Sequence, residues 1–132
     1  MLIPIRPNVY LGDKDAFKSP AELVEKGIQR VIVVADDLLP FDQPANSDVQ
    51  FYKIGLRSDR INAPHIKDLA CHVPKYMVQN GESVLIQSVT GLQRGAYIVC
   101  RMLCELEGRT IYEIMNEIKE LLPQFDINKS YF

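Results

Sequence analysis

Tryptophan is absent, histidine occurs twice and cysteine three times, and aromatic residues make up only 8% of the 132-residue chain. No apolar run approaches the ~18 residues that a membrane-spanning helix needs. The opening "MLIPIRP" is too short and too proline-rich for the apolar core of a secretory leader. Three cysteines (Cys71, Cys100, Cys104) cannot all pair, so a disulfide-stapled secreted scaffold is not indicated. Reduced thiols and a cytoplasmic location are expected instead. An excess of positive charge is missing as well. The net charge of −2 disfavours generic binding to nucleic acid or anionic membrane, which both select basic surfaces. No Gly-Lys-Ser/Thr follows a glycine loop, which counts against a nucleotide P-loop. No Gly-x-Ser-x-Gly elbow surrounds Ser88, which counts against an α/β-hydrolase. Repeats, low-complexity tracts and linkers are lacking too, so one domain over residues 1–132 is expected, large enough to bury a core without staples.

What is present is an alternation of strand and helix patterns. "VYLG" (Val9 to Gly12) reads as a short strand, and "RVIVVADD" (Arg30 to Asp37), "VQFYKIGL" (Val49 to Leu56) and "SVLIQ" (Ser83 to Gln87) as further strands. The β-branched apolar runs of the second and fourth of these suit strands buried on both faces. "SPAELVEKG" predicts a helix capped by a Ser19–Glu22 box and closed by Gly27. "LLPFDQPANSD" reads as a loop. A helix is predicted from Pro64 to Gln79, with Pro74 expected to kink or break it. Another runs from Gly95 to Glu107. A Thr110–Glu113 box opens a last one through Leu122. The end, "QFDINKSYF", shows no clear pattern. This order implies an α/β fold with a central, mostly parallel sheet flanked by helices.

The chemistry concentrates in "VLIQSVTGLQRGAY" (Val84 to Tyr97). A buried strand stops at Gln87-Ser88, a short loop with Gly91 and Arg94 follows, and a helix begins. In parallel sheets ligands sit beyond the carboxyl ends of strands. Loop amides running into a helix N-terminus converge, and the helix dipole adds positive potential. Gly91 permits close backbone approach, and the planar fork of Arg94 matches two oxygens of a phosphate or sulfate. An ordinary strand-to-helix turn with a surface arginine is the alternative.

This loop resembles the phosphate-binding loop of cysteine-dependent protein phosphatases, His-Cys-x-x-Gly-x-x-Arg. The aligned residues are Gln87, Ser88, Val89, Thr90, Gly91, Leu92, Gln93 and Arg94. "NVYLGD", "LVEKGIQRVIVV", "FYKIGLRSD" and "GESVLIQ" extend the resemblance to the compact dual-specificity branch over nearly the whole chain. The resemblance implies metal-free and cofactor-free hydrolysis of phosphate monoesters through a phosphocysteine. It makes Arg94 the phosphate clamp, the amides of Val89 to Arg94 the cradle, and Asp59 the leaving-group acid. The implied ligand is a phosphorylated protein or another phosphomonoester, with no nucleic acid or membrane partner and a monomeric state.

Three departures qualify that chemistry. Ser88 stands where the family has its nucleophilic cysteine, Gln87 where it has histidine, and Gly95 where a serine or threonine commonly follows the arginine. A serine hydroxyl stays protonated where a cysteine would ionise, and serine nucleophiles normally need an adjacent base. The chain is therefore expected to bind phosphate and turn it over poorly or not at all. Either a cysteine enzyme with its nucleophile replaced or a natural pseudophosphatase fits.

Other residues read better as structure. His65 and His72 suit helix surface positions rather than a base for Ser88. Asp59 could equally be a turn residue, and Arg57 and Arg60 beside it simple surface charges. Asp36-Asp37 ends a strand like the magnesium-binding pair of response-regulator receivers. The further aspartate such a site needs is missing, because the later strand ends in Gln87-Ser88. Cys100 and Cys104, four apart on a helix, lack a matching ligand pair and suit buried small hydrophobes.

Overall fold

The computed structural model describes residues 1–42, 44, 47–125 and 127. Gln43, Ala45 and Asn46 of the expected long loop, and Asp126 and residues 128–132 of the C-terminal stretch, lie outside the described residues. The elements are β1 (Leu2–Arg6), β2 (Val9–Gly12), α1 (Pro20–Glu25), β3 (Arg30–Ala35), β4 (Gln50–Leu56), α2 (Pro64–Gln79), β5 (Val84–Gln87), α3 (Arg94–Glu107) and α4 (Ile111–Leu121). They build one five-stranded sheet in the order β1-β2-β5-β3-β4. β2, β5, β3 and β4 run parallel, and β1 pairs antiparallel with β2 at the edge.

Alternation along the central strands divides the core in two. Ile32, Val34, Val84 and Ile86 face a large cluster with Ile98, Val99, Met102, Leu103, Ile114 and Ile118. Val31, Val33 and Leu85 point the other way, into a smaller cluster with Leu23, Ile28 and Val49. Both faces are covered, which is why β3 and β5 read as unbroken apolar runs rather than alternating ones. Phe17, Phe41 and Phe51 form a tilted aromatic group beside the smaller cluster, with ring centroids 5.8–6.1 Å apart.

Three details depart from the sequence expectation. β1 was not anticipated. It carries Pro4, which an edge strand tolerates because one side of its backbone needs no ladder partner. The Ser19–Glu22 box does not form. Ser19 makes no side-chain cap, and the Glu22 carboxylate accepts the Lys18 amide at 3.1 Å instead. α2 continues through Pro74 as one sixteen-residue helix, with Pro74 buried against its neighbours. Packing of that face outweighs the hydrogen bond that the proline cannot donate. The Thr110–Glu113 box at the start of α4 is complete in both directions.

At the end of the sheet away from the parallel strands' carboxyl termini, Arg6 ties β1 to the helices. It reaches Glu107 at 2.7 Å and Glu117 at 2.5 Å, and Arg109 meets Glu117 at 3.1 Å. No helix among the described residues is long and apolar enough to cross a membrane.

Candidate functional site

Four parallel strands deliver their following loops to one edge of the sheet, and β5 sits in the middle of them. The loop after β5 is closed from both sides. The Ser88 amide donates to the Gly12 carbonyl at 3.2 Å, and the Lys14 amide donates to the Val89 carbonyl at 3.1 Å. These bonds lash the loop to the end of β2. The Ser88 hydroxyl, buried at 1% exposure, accepts the amides of Gly91 and Gly95, each at 3.2 Å. It thus staples the loop to the first turn of α3.

Both glycines are required by this closure. Gly91 has φ +73, and a Cβ there would lie 2.4 Å from Met1 Cε and 3.1 Å from the Gly12 carbonyl carbon and oxygen. A Cβ at Gly95 would lie 2.8 Å from Ser88 Oγ and 3.0 Å from Leu11 Cδ1. A serine or threonine at position 95 therefore does not fit while Ser88 keeps this position. Among the described residues, the amides of Val89, Thr90 and Arg94 donate to no protein group. They remain available to a ligand at the N-terminus of the fourteen-residue α3.

Arg94 is the first residue of α3, and its side chain is 7% exposed. Its Nη1 donates to the Leu56 carbonyl at 2.9 Å and to Asp37 Oδ1 at 2.8 Å, with Asp36 Oδ1 at 3.3 Å. Nη1 has two hydrogens, so the longer Asp36 contact is the shared, weaker one. Nε and Nη2 meet no protein acceptor among the described residues. One corner of the guanidinium is anchored and the bidentate edge is left over. The Arg94 hydrogen bond holds the Asp37 carboxyl below the usual aspartate range.

The remaining candidates fall in different places. Gln87 is buried, and its Nε2 donates to the Asp13 carbonyl at 3.1 Å, bracing the base of the loop without offering a proton acceptor of useful basicity. Asp59 lies in the loop after β4, on the same sheet edge. Its side chain is 70% exposed, its ionic partner is Arg60 at 3.7 Å, and no hydrogen bond joins it to Ser88 or Arg94. That loop is held by Asn62, which is buried and bonds both the amide and the carbonyl of Arg57, at 2.7 and 3.0 Å. His72 faces Glu105 on α3, and neither histidine bonds to Ser88. Burial pushes the Cys100 thiol up to about 12 and also raises Cys104, and no hydrogen bond among the described residues joins either to Ser88.

Asp36 and Asp37 are the residues whose part the sequence reading missed. They sit on Arg94 rather than forming a separate cation site. The available signal was an acidic pair ending β3, the strand that lies beside β5.

No protein-family model matches the chain, and no curated protein sequence does. Solved structures do. Human DUSP28 superimposes with a TM-score of 0.81 at 18% identity, over 98% of this chain and 89% of that one. The human tyrosine phosphatase-like serine/threonine/tyrosine-interacting protein gives 0.81 at 15% identity, over 98% and 89%. A mouse putative dual specificity phosphatase, solved in complex with zinc tungstate, gives 0.83 at 18% identity, over 98% and 80%. The chain has the dual-specificity phosphatase fold.

Proposed function

We propose that this chain is a dual-specificity-type phosphatase domain that holds phosphate monoesters, chiefly those of phosphorylated proteins, without hydrolysing them. The observation that carries the reading is the state of Ser88. Its oxygen is buried and accepts two amides, and among the described residues no side-chain base is hydrogen-bonded to it. An alcohol so placed remains protonated near neutral pH and does not attack phosphorus. Binding needs none of this. The Nε–Nη2 edge of Arg94 can take two oxygens of a tetrahedral oxyanion, and the amides of Val89, Thr90 and Arg94 can take the others. The positive end of α3 adds to the same site. The mouse structure that shares this fold was solved in complex with zinc tungstate, whose tungstate is a tetrahedral oxyanion.

The competing reading is a cysteine phosphatase whose nucleophile has been replaced. Two features weigh against efficient chemistry even then: the exposed Asp59, unconnected to the loop, and the Cβ-free contact between Gly95 and Ser88. Titration calorimetry with tungstate and inorganic phosphate, together with turnover of an aryl phosphate, decides the matter. Saturable 1:1 binding with no turnover is expected for the chain, and little or none for Ser88→Cys. Turnover by the unaltered chain, or no oxyanion binding, overturns the proposal. Brisk turnover by Ser88→Cys supports the replaced-nucleophile reading.

A further inference from the structure

Away from the cradle, the packing of α2 against α3 brings together three side chains of ligating type. Cys71 and His72 come from α2 and Glu105 from the last turn of α3. Cys71 Sγ, His72 Nε2 and a Glu105 carboxylate oxygen lie within 4.8 Å of one another. The thiol lies 4.0 Å from Glu105 Oε2, and His72 Nε2 lies 3.4 Å from the same oxygen. We propose that Cys71, His72 and Glu105 form a zinc site that pins α2 to α3.

The geometry is close to what the ion requires. Tetrahedral zinc with sulfur at ~2.3 Å and nitrogen and oxygen at ~2.0 Å places its ligand atoms about 3.3–3.6 Å apart. The His72–Glu105 separation, 3.4 Å, already has that value, and the thiol, 4.0 Å from Glu105 Oε2, is about 0.5 Å too far. The donor set of thiolate, imidazole and carboxylate suits zinc and not magnesium or calcium, which select oxygen alone. The site is graded in depth: Cys71 is fully buried, while the side chains of His72 and Glu105 are 42% and 33% exposed. An ion enters from the His72 side, takes Cys71 as its innermost ligand and keeps a water in the fourth position. The thiol releases its proton to solvent as the Zn–S bond forms.

Lys75 already pairs with the Glu105 carboxylate. Its ammonium lies 3.0 Å from Glu105 Oε2, and Arg101 Nε lies 3.9 Å from Oε1. Arg101 is also paired with Asp68. The carboxylate is thus already held for a cation, and Lys75, whose side chain is 21% exposed, is the group that zinc displaces. This gives the proposal an unusual sign. Removing a positive charge from the cluster strengthens metal binding, whereas a purely structural ion-pair cluster gives no metal response at all.

The test is a cobalt(II) titration of the metal-stripped full chain, followed by displacement with zinc and by thermal unfolding with and without zinc. Expected are the visible bands of four-coordinate cobalt, a near-ultraviolet thiolate-to-metal band, and a raised unfolding temperature with zinc. Cys71→Ser abolishes the thiolate band. His72→Ala and Glu105→Gln, at partly exposed positions that leave the core intact, each weaken binding about tenfold or more. Lys75→Gln tightens it, and His65→Ala leaves it unchanged. A thiolate band that survives Cys71→Ser, an affinity indifferent to His72→Ala, or no binding at millimolar metal overturns the proposal.

Discussion

Two loops on one edge of the sheet have been built to different standards. The loop after β5 is cross-tied, with Ser88 and Gly91 buried: Ser88 staples it internally, Gly12 and Lys14 hold it from the end of β2, and Arg94 is anchored to Leu56, Asp37 and Asp36. The loop after β4 is braced by Asn62 and leaves Asp59 and Ile61 in solvent at 70% and 80% exposure. Anion binding needs only the first loop, preorganised. Leaving-group protonation needs the second loop brought over the first. The loop that could hold an oxyanion is thus preorganised, and no hydrogen bond among the described residues ties Asp59 to it.

Breaking the first loop should therefore give the largest effects. Arg94→Ala removes the bidentate edge, and hydrogen bonds to a charged group are worth ~1.5–3 kcal/mol. Tungstate affinity measured by calorimetry is expected to fall about a hundredfold. Retained affinity would place the oxyanion somewhere other than this loop. Next comes Gly91→Ala. Its positive φ, with a new Cβ 3.1 Å from the Gly12 carbonyl, strains the loop at a cost of about 1–3 kcal/mol. A lower denaturation midpoint and at least a tenfold loss of oxyanion affinity, about 1.4 kcal/mol, are expected together.

In the second loop, Asn62→Ala loses the two bonds to Arg57 and is expected to cost about 1–3 kcal/mol of stability. Tungstate affinity should hardly change. An affinity loss as large as that of Gly91→Ala would show that the two loops are coupled and would end the contrast drawn between them.

Much of this architecture could be read in advance, and the limits have physical causes. β3 and β5 are legible because strands buried on both faces must be apolar throughout. α4 is legible because Thr110 and Glu113 satisfy each other locally. The loop itself is legible because strand end, glycine, arginine and helix start lie within one short segment. Ser19 and Glu22 offered the same local signal as the α4 box, but in a six-residue helix the glutamate found the Lys18 amide instead. The attachment of Asp36 and Asp37 to Arg94 was not legible. It depends on β3 lying beside β5, and strand order is decided by packing between segments far apart in the chain. The meeting of Cys71, His72 and Glu105 was hidden for the same reason, since it needs the contact of α2 with α3.

Asp37→Asn sharpens the contrast by separating orientation from charge. The asparagine carbonyl can still accept Arg94 Nη1, so the fork keeps its direction. What disappears is a negative charge on the edge that receives the anion. Asp37 is 55% exposed, so its field on a ligand is screened nearly as in water. At about 7 Å from a dianion that amounts to roughly 1 kcal/mol. Calorimetry is expected to show tungstate binding several-fold tighter, and looser binding would mean that the carboxylate's main task is to aim the arginine. The variant also has a pH signature. The Asp37 carboxyl is held below its ordinary value by Arg94, so its contribution to stability is present above the ordinary aspartate range, near pH 4. That contribution is lost as pH falls through the depressed folded value. Unfolding profiles of the two proteins should therefore differ above pH 4 and converge in acid, and a difference that persists at pH 2 would assign it to packing rather than to the Arg94–Asp37 charge pair.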